Sequence, residues 1–173
     1  ALLPGNMPGL ERAEIHFKYV PMMGVGGDFL DIFIPGRDKG PEDPGKQVCF
    51  FICDVSGHGV SAALTAAMVK MSLASWEKNA AQPARLLTAI SDSLKGKTGG
   101  NFITAASCHV DLDTGRLVCA NAGHPPVLIL RSDGRAEFVQ ARGRLISDYL
   151  PANSEDVEID LHDDGVGVLD ESV

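Results

Sequence analysis

Apolar positions in this chain fall into short runs and alternations punctuated by glycine and proline, a pattern that predicts strands on either side of a helical pair. Over residues 12–20, Ala13, Ile15, Phe17 and Tyr19 alternate with mostly polar residues, which predicts a half-buried strand. A glycine-rich turn over 22–27 leads into a strand over 28–34, and 35–46 is polar, rich in Pro and Gly, and reads as a loop. Residues 48–53 are continuously apolar, which suits a strand buried on both faces. Residues 60–77 predict a helix with Val60, Leu64, Met68, Met71 and Ser75 on one stripe. Leu73 and Trp76 widen that stripe, so it is expected to pack on a sheet face. Pro83 opens a second helix through Leu94, with Leu86, Leu87, Ile90 and Leu94 on one side. Strands follow over 102–112, 117–121 and 127–131, the first two joined by Asp113-Thr114-Gly115. Asp133-Gly134 signals a hairpin into a last strand over 136–139.

Strands interrupted by two consecutive helices, rather than alternating with them, exclude a doubly wound nucleotide fold and predict an α+β layered sandwich. At 173 residues and 45% hydrophobic, the chain is expected to form one domain over 1–173. It starts without Met and stops abruptly at Glu171-Ser172-Val173, which suggests a piece of a longer protein. The formal net charge is −8 with no basic cluster, which argues against nucleic acid or an anionic membrane as partner. The same charge repels phosphorylated substrates unless bound cations reverse the local sign. No apolar stretch reaches membrane-spanning length and no signal-peptide pattern opens the chain, so a cytoplasmic location is expected. Cys49, Cys53, Cys108 and Cys119 lie in apolar strand-like segments with no Cys-x-x-Cys pair, and read as buried reduced thiols.

The candidate chemistry begins where an acid follows the apolar run, in Phe50-Phe51-Ile52-Cys53-Asp54-Val55-Ser56-Gly57-His58-Gly59. A carboxylate at the end of a buried strand stays ionised only if something positive meets it, and no Lys or Arg lies between Gln47 and Val69. A second acid in similar surroundings, Asp28, precedes it in Gly26-Gly27-Asp28-Phe29-Leu30-Asp31. Two such acids suggest a hard-metal site for Mg²⁺ or Mn²⁺. The plainer alternative is that Asp28 caps a turn and Asp54 caps the next helix. Gly57 and Gly59 allow a tight path into that helix, whose N-terminus favours an ionised Asp54 and an approaching phosphate. His58 and His124 read as loop-fixing residues or general acids, and Asp31 as a turn residue or one reaching a metal through water.

Three ordered blocks, Gly26 to Asp31, Asp54 to Ala63, and Asn121-Ala122-Gly123-His124-Pro125-Pro126, resemble one family. They are similar to the SpoIIE-like branch of the metal-dependent type 2C protein serine/threonine phosphatases (PPM), bacterial sporulation and stress-response enzymes. The opening Leu2-Leu3-Pro4 and Tyr19-Val20-Pro21 also resemble its entry segment. The resemblance implies a four-layer α-β-β-α sandwich of two antiparallel sheets flanked by helices. It further implies two Mn²⁺ or Mg²⁺ ions sharing a water at one end of the sandwich, with Asp54 bridging both and Asp28 and the Val55 carbonyl completing a ligand set. That water, acidified between the ions, would attack phosphorus in line without a phosphoenzyme. No Cys-x₅-Arg loop argues for a covalent route, and Ser56 lacks an evident base. The resemblance also implies a phosphorylated anti-sigma-factor antagonist as substrate, an N-terminal sensor region, and a homodimer through an N-terminal linker.

The likeness weakens toward the C-terminus. The family's Thr-Asp-Gly-Val segment is matched imperfectly by Asp163-Asp164-Gly165-Val166, which would make Asp164 a metal ligand. Alternatively, Asp163-Asp164-Gly165 is a mere turn before a displaced strand over 166–169. The family's terminal Asp-Asp pair has no counterpart, so one of the two ions is expected to bind weakly or not at all. Gly143-Arg144-Leu145-Ile146 departs from the usual Gly-x-Pro-Leu-Gly. The function expected is therefore a phosphoserine/phosphothreonine phosphatase. A degenerate, non-catalytic binding domain and an unrelated hydrolase of small phosphate esters are the alternatives.

Overall fold

The computed structural model describes residues 10, 13–19, 26–35, 46–161 and, as backbone, 165–168. Strands β1 (Phe29–Phe33) and β2 (Gln47–Val55) precede helix α1 (Val60–Trp76), a 3₁₀ turn (Glu77–Asn79) and helix α2 (Pro83–Leu94). Strands β3 (Ile103–Asp111), β4 (Arg116–Ala122), β5 (Leu128–Arg131), β6 (Ala136–Phe138), β7 (Val157–Asp160) and β8 (Gly165–Val168) follow. They form a five-stranded sheet in the order β1-β2-β3-β4-β7 and a three-stranded sheet in the order β6-β5-β8. Every pairing between these strands is antiparallel, and the α+β class read from the sequence holds.

Side-chain alternation divides the large sheet between two cores. Phe29, Cys49, Phe51, Cys53, Val55, Ile103, Ala105, Ala120 and Ala122 face the helices and bury Leu86, Leu87, Ile90 and Leu94 of α2. The opposite face presents Cys108, Leu117 and Cys119 to Val127, Ile129 and Val139 around the small sheet. The described residues thus supply a helical layer and two sheet layers, and no described helix covers the outer face of the small sheet. All four cysteines are buried and none forms a disulfide, as read from their apolar settings. Burial pushes the Cys49 thiol up, and the neighbouring Cys119 thiol followed by burial does so for Cys108.

Three readings need correction. Helix α1 forms where its apolar pattern placed it but is rotated from the predicted facing. Of the predicted stripe, Val60, Leu64 and Met71 are 72%, 61% and 70% exposed and only Met68 and Leu73 pack inward, beside the buried Ala62, Thr65, Ala66, Val69 and Ser72. The helix is apolar nearly all round, with Lys70 its one charge, so periodicity could not choose a side. The small residues face inward, where α1 meets both the sheet and α2, and Ser72 Oγ lies 2.6 Å from Ser93 Oγ of α2. Residues 13–19 form no strand, and Phe17 is exposed. Strand β7 was not predicted, although Val157-Glu158-Ile159-Asp160 alternates and adds to β4. Strand β8, on β5, lies where the displaced-strand alternative put one.

Candidate metal centre

Asp28 and Asp54 come together because of strand register. Phe29 is opposite Cys53, so Asp28, one residue earlier, lies abreast of Asp54, and Asp54 in turn is opposite Thr104 of β3. All three lie on the face turned toward the small sheet, at the end where β2 leaves it. Asp28 is half-buried and Asp54 opens to solvent. Burial raises the pKa of Asp54, and the Asp28 carboxyl, by hydrogen bonding and by charge, raises it further. Two acids held this close form a site whose negative charge a divalent cation would offset.

The backbone around them is equally constrained. A Cβ on Gly27 would stand 2.6 Å from the Val55 carbonyl oxygen and 3.2 Å from the Ala62 methyl, so only glycine lets β1 enter beside Val55. The Val55 carbonyl therefore sits on the Asp28 side of β2, which fits a ligand set of Asp28, Asp54 and that oxygen. Beyond it, Ser56 and Phe102 are tied by Ser56 N–H to Phe102 O (2.9 Å) and Phe102 N–H to Ser56 Oγ (2.9 Å). That bond gives Ser56 a structural role. Helix α1 is N-capped by Gly59 with no side-chain cap hydrogen bond, so Asp54 is not its cap and the plainer alternative for that residue fails.

The two histidines separate clearly. His58 is exposed on the loop into α1. His124 is buried, its Nδ1 lies 2.9 Å from Thr104 Oγ1, and the Asp28 charge acts on it. Burial outweighs that charge and lowers the His124 pKa to about 4, so the ring is neutral at physiological pH. Asn121 holds the turn: its Nδ2 donates to His124 O (2.8 Å), and its Oδ1 accepts from His124 N–H (2.8 Å). The Asn-Ala-Gly-His-Pro-Pro block is therefore the third wall of the site.

Asp31 does not join it. Register puts Asp31 opposite Phe51 on the helix-facing side, where its Oδ1 accepts the Ile32 N–H (3.0 Å). Burial raises its pKa and Lys70 partly offsets that, so the reading in which it reaches a metal through water is corrected. Asp164 lies outside the described residues. Among the described residues no group of three or more His, Cys, Asp or Glu could hold a metal ion. The site as described fits one cation held by two carboxylates and a carbonyl. Thr104 was missed from sequence; a hydroxyl interrupting an apolar strand two positions into the run was the available signal.

The family model described as Stage II sporulation protein E (SpoIIE) matches residues 44–169, and the chain belongs to that family. Phosphoserine phosphatase RsbU of Bacillus subtilis (strain 168) is 26% identical over 126 residues, 72% of this chain and 35% of that protein. The RsbU and RsbW domains of Rv1364c from Mycobacterium tuberculosis superpose with a TM-score of 0.63 at 22% identity, covering 80% of this chain and 37% of that one. RsbX in complex with magnesium gives a TM-score of 0.60 at 14% identity, covering 79% of this chain and 61% of that one. These structures show the fold, that of PP2C-type phosphatases. The chain spans 25% to 35% of the length of the curated relatives it matches.

Proposed function

We propose that this domain is a metal-dependent protein serine/threonine phosphatase of a bacterial signalling pathway, hydrolysing phosphoserine and phosphothreonine with water as nucleophile. The observation that carries the reading is the abreast placement of Asp28 and Asp54 at the open end of the sheet, with the Asp54 pKa raised by burial and then by its neighbour. Mn²⁺ or Mg²⁺, held by Asp28, Asp54 and the Val55 carbonyl, would acidify a water and screen the phosphoryl oxygens. The chain's own residues do the rest. The Ser56–Phe102 bonds fix the turn after Asp54, and the N-terminus of α1 at Val60 lends partial positive charge to an entering phosphate. No described side chain offers a covalent route, since the cysteines are buried with raised pKa values or held in the core, and Ser56 Oγ is committed to Phe102 N–H.

Asp164 is the proposed ligand of a second ion. The substrate we favour is a phosphorylated anti-sigma-factor antagonist, supported by the likeness to a phosphoserine phosphatase, RsbU, and to the paired RsbU and RsbW domains of Rv1364c. The small share of its relatives' length that this chain covers supports a sensor region elsewhere in the protein, joined by a linker through which it dimerises. A cytoplasmic location follows from that role, and no described helix is long and apolar enough to cross a membrane. The second reading, a non-catalytic domain that binds its partner, is favoured by the two-carboxylate count. Turnover of a phosphoserine peptide with and without Mn²⁺ decides between them. Phosphate release that stops on chelation and returns with Mn²⁺ supports the phosphatase. Release unaffected by exhaustive chelation refutes the metal route, and no release at saturating Mn²⁺ favours the binding domain.

A further inference from the structure

Asp28, Asp54 and Thr104 stand abreast across adjacent strands, and Thr104 ties this row to His124. Asp54 is opposite Thr104 on the neighbouring strand, Thr104 Oγ1 lies 2.9 Å from His124 Nδ1, and the His124 ring feels the charge of Asp28. Asp28 stands abreast of Asp54 on its other side, one residue before the β1–β2 register begins at Phe29 and Cys53. His124 cannot swing away. Asn121 grips its backbone from both sides at 2.8 Å, and Ala105 bridges Gly123 just before it. The next segment presses on that turn: a Cβ on Gly143 would stand 1.7 Å from Asn121 O, and one on Gly123 3.0 Å from Leu145 N. The His124 imidazole is buried, whereas Asp54, opposite Thr104, is open to solvent.

We infer that Thr104 and His124 act together as positioning residues for the metal-binding carboxylates. His124 lends Asp28 a fixed neighbour and Thr104 holds the ring in place, so the two acids are set before a cation arrives. Groups that orient metal ligands in this way typically change metal affinity by about 10–100-fold when removed. The inference rests on the proposed function and deepens it. His124 thereby has a role other than that of a proton donor, and the Asn-Ala-Gly-His-Pro-Pro block has a reason for its rigidity.

The test is calorimetric titration of the chain with Mn²⁺, with thermal unfolding of each metal-free variant to confirm the fold. Thr104→Val keeps the strand-favouring shape and removes the hydroxyl; Thr104→Ser restores it. His124→Ala removes the ring, and His124→Asn returns an amide where Nδ1 sits. The expected result is Mn²⁺ affinity about ten-fold or more weaker in Thr104→Val and His124→Ala. Substantial recovery is expected in Thr104→Ser and His124→Asn, and a double variant should be little worse than either single, as for residues acting as one unit. Unchanged affinity in Thr104→Val, or fully additive losses with no rescue, overturns the inference. Asp54→Asn is the separate control on the metal reading. If it abolishes Mn²⁺ binding while Thr104→Val does not weaken it, only the positioning role falls. If the unaltered chain binds no Mn²⁺, or Asp54→Asn binds as tightly as it does, the metal reading falls and this inference with it.

Discussion

Asp54 is held in the folded chain at a cost. Its pKa is raised, first by burial and then by Asp28, so the folded state keeps that proton to higher pH than the unfolded state does. The pair therefore subtracts stability once pH exceeds the folded pKa, and the penalty fades as pH falls through that value. Asp54→Asn removes the repulsion without changing the volume. Near neutral pH the metal-free variant is expected to melt slightly above the unaltered chain, the gain being small because Asp54 opens to solvent. It is also expected to lose nearly all phosphate release and all stabilisation by Mn²⁺. Calorimetric melts with and without Mn²⁺ check both; a variant that melts lower and keeps full activity is incompatible with a metal-bridging role.

His109 carries the opposite sign. It is 4% exposed, neither ring nitrogen has a hydrogen-bond partner, and burial lowers its pKa, with Asp111 opposing and Arg116 assisting. The unfolded chain takes up this proton at higher pH than the folded one, so stability is full above about 6.5 and falls as pH drops below it. Thermal melts at pH 7 and pH 5 should show the loss, and His109→Leu should flatten the difference between them. An equal drop in the variant assigns the effect to other groups. Nothing in the sequence marked His109, because a histidine within an apolar strand looks alike whether its nitrogens are satisfied or not.

At the scale of elements, the sequence carried the positions of the secondary structure better than their facing. Helix α2 shows why, since its apolar residues occupy one side and all four predicted contacts, Leu86, Leu87, Ile90 and Leu94, are buried. Helix α1 lacks such contrast, and the larger apolar residues were taken for the inner face when Ala62, Ala66 and Val69 fill it. Substitutions separate the two facings. Leu64→Ala on the outer side should change stability by no more than about 0.5 kcal/mol, whereas Val69→Ala, outside the predicted stripe, should cost about 1–3 kcal/mol. Denaturant unfolding of both variants checks the assignment, and a reversed order would restore the predicted stripe. The site was legible for a different reason. Asp28 and Asp54 are flanked by glycines that the backbone needs, whereas Thr104 depends on strand pairing that a linear reading does not contain. Of the strand predicted over 12–20, the described residues 13–19 form none, since alternation predicts a face and not a partner.

For the whole molecule, the uneven supply of acids sets the metal chemistry. A net charge of −8 makes cations necessary for any phosphorylated substrate to approach, yet the described residues offer one site two carboxylates and a carbonyl. A second ion would have Asp54 in common and Asp164 as its own ligand. Carboxylate number strongly governs hard-cation affinity, so the two positions should differ widely. The expected titration with Mn²⁺ shows one well-defined site and a second that fills only at much higher concentration, with phosphate release following the second. Asp28→Asn should then weaken the tight step, and Asp164→Asn the weak one alone. Two equally tight sites on this chain would refute the asymmetry. Loss of the tight step in Asp164→Asn would instead show that the C-terminal acid, and not Asp28, completes the primary site.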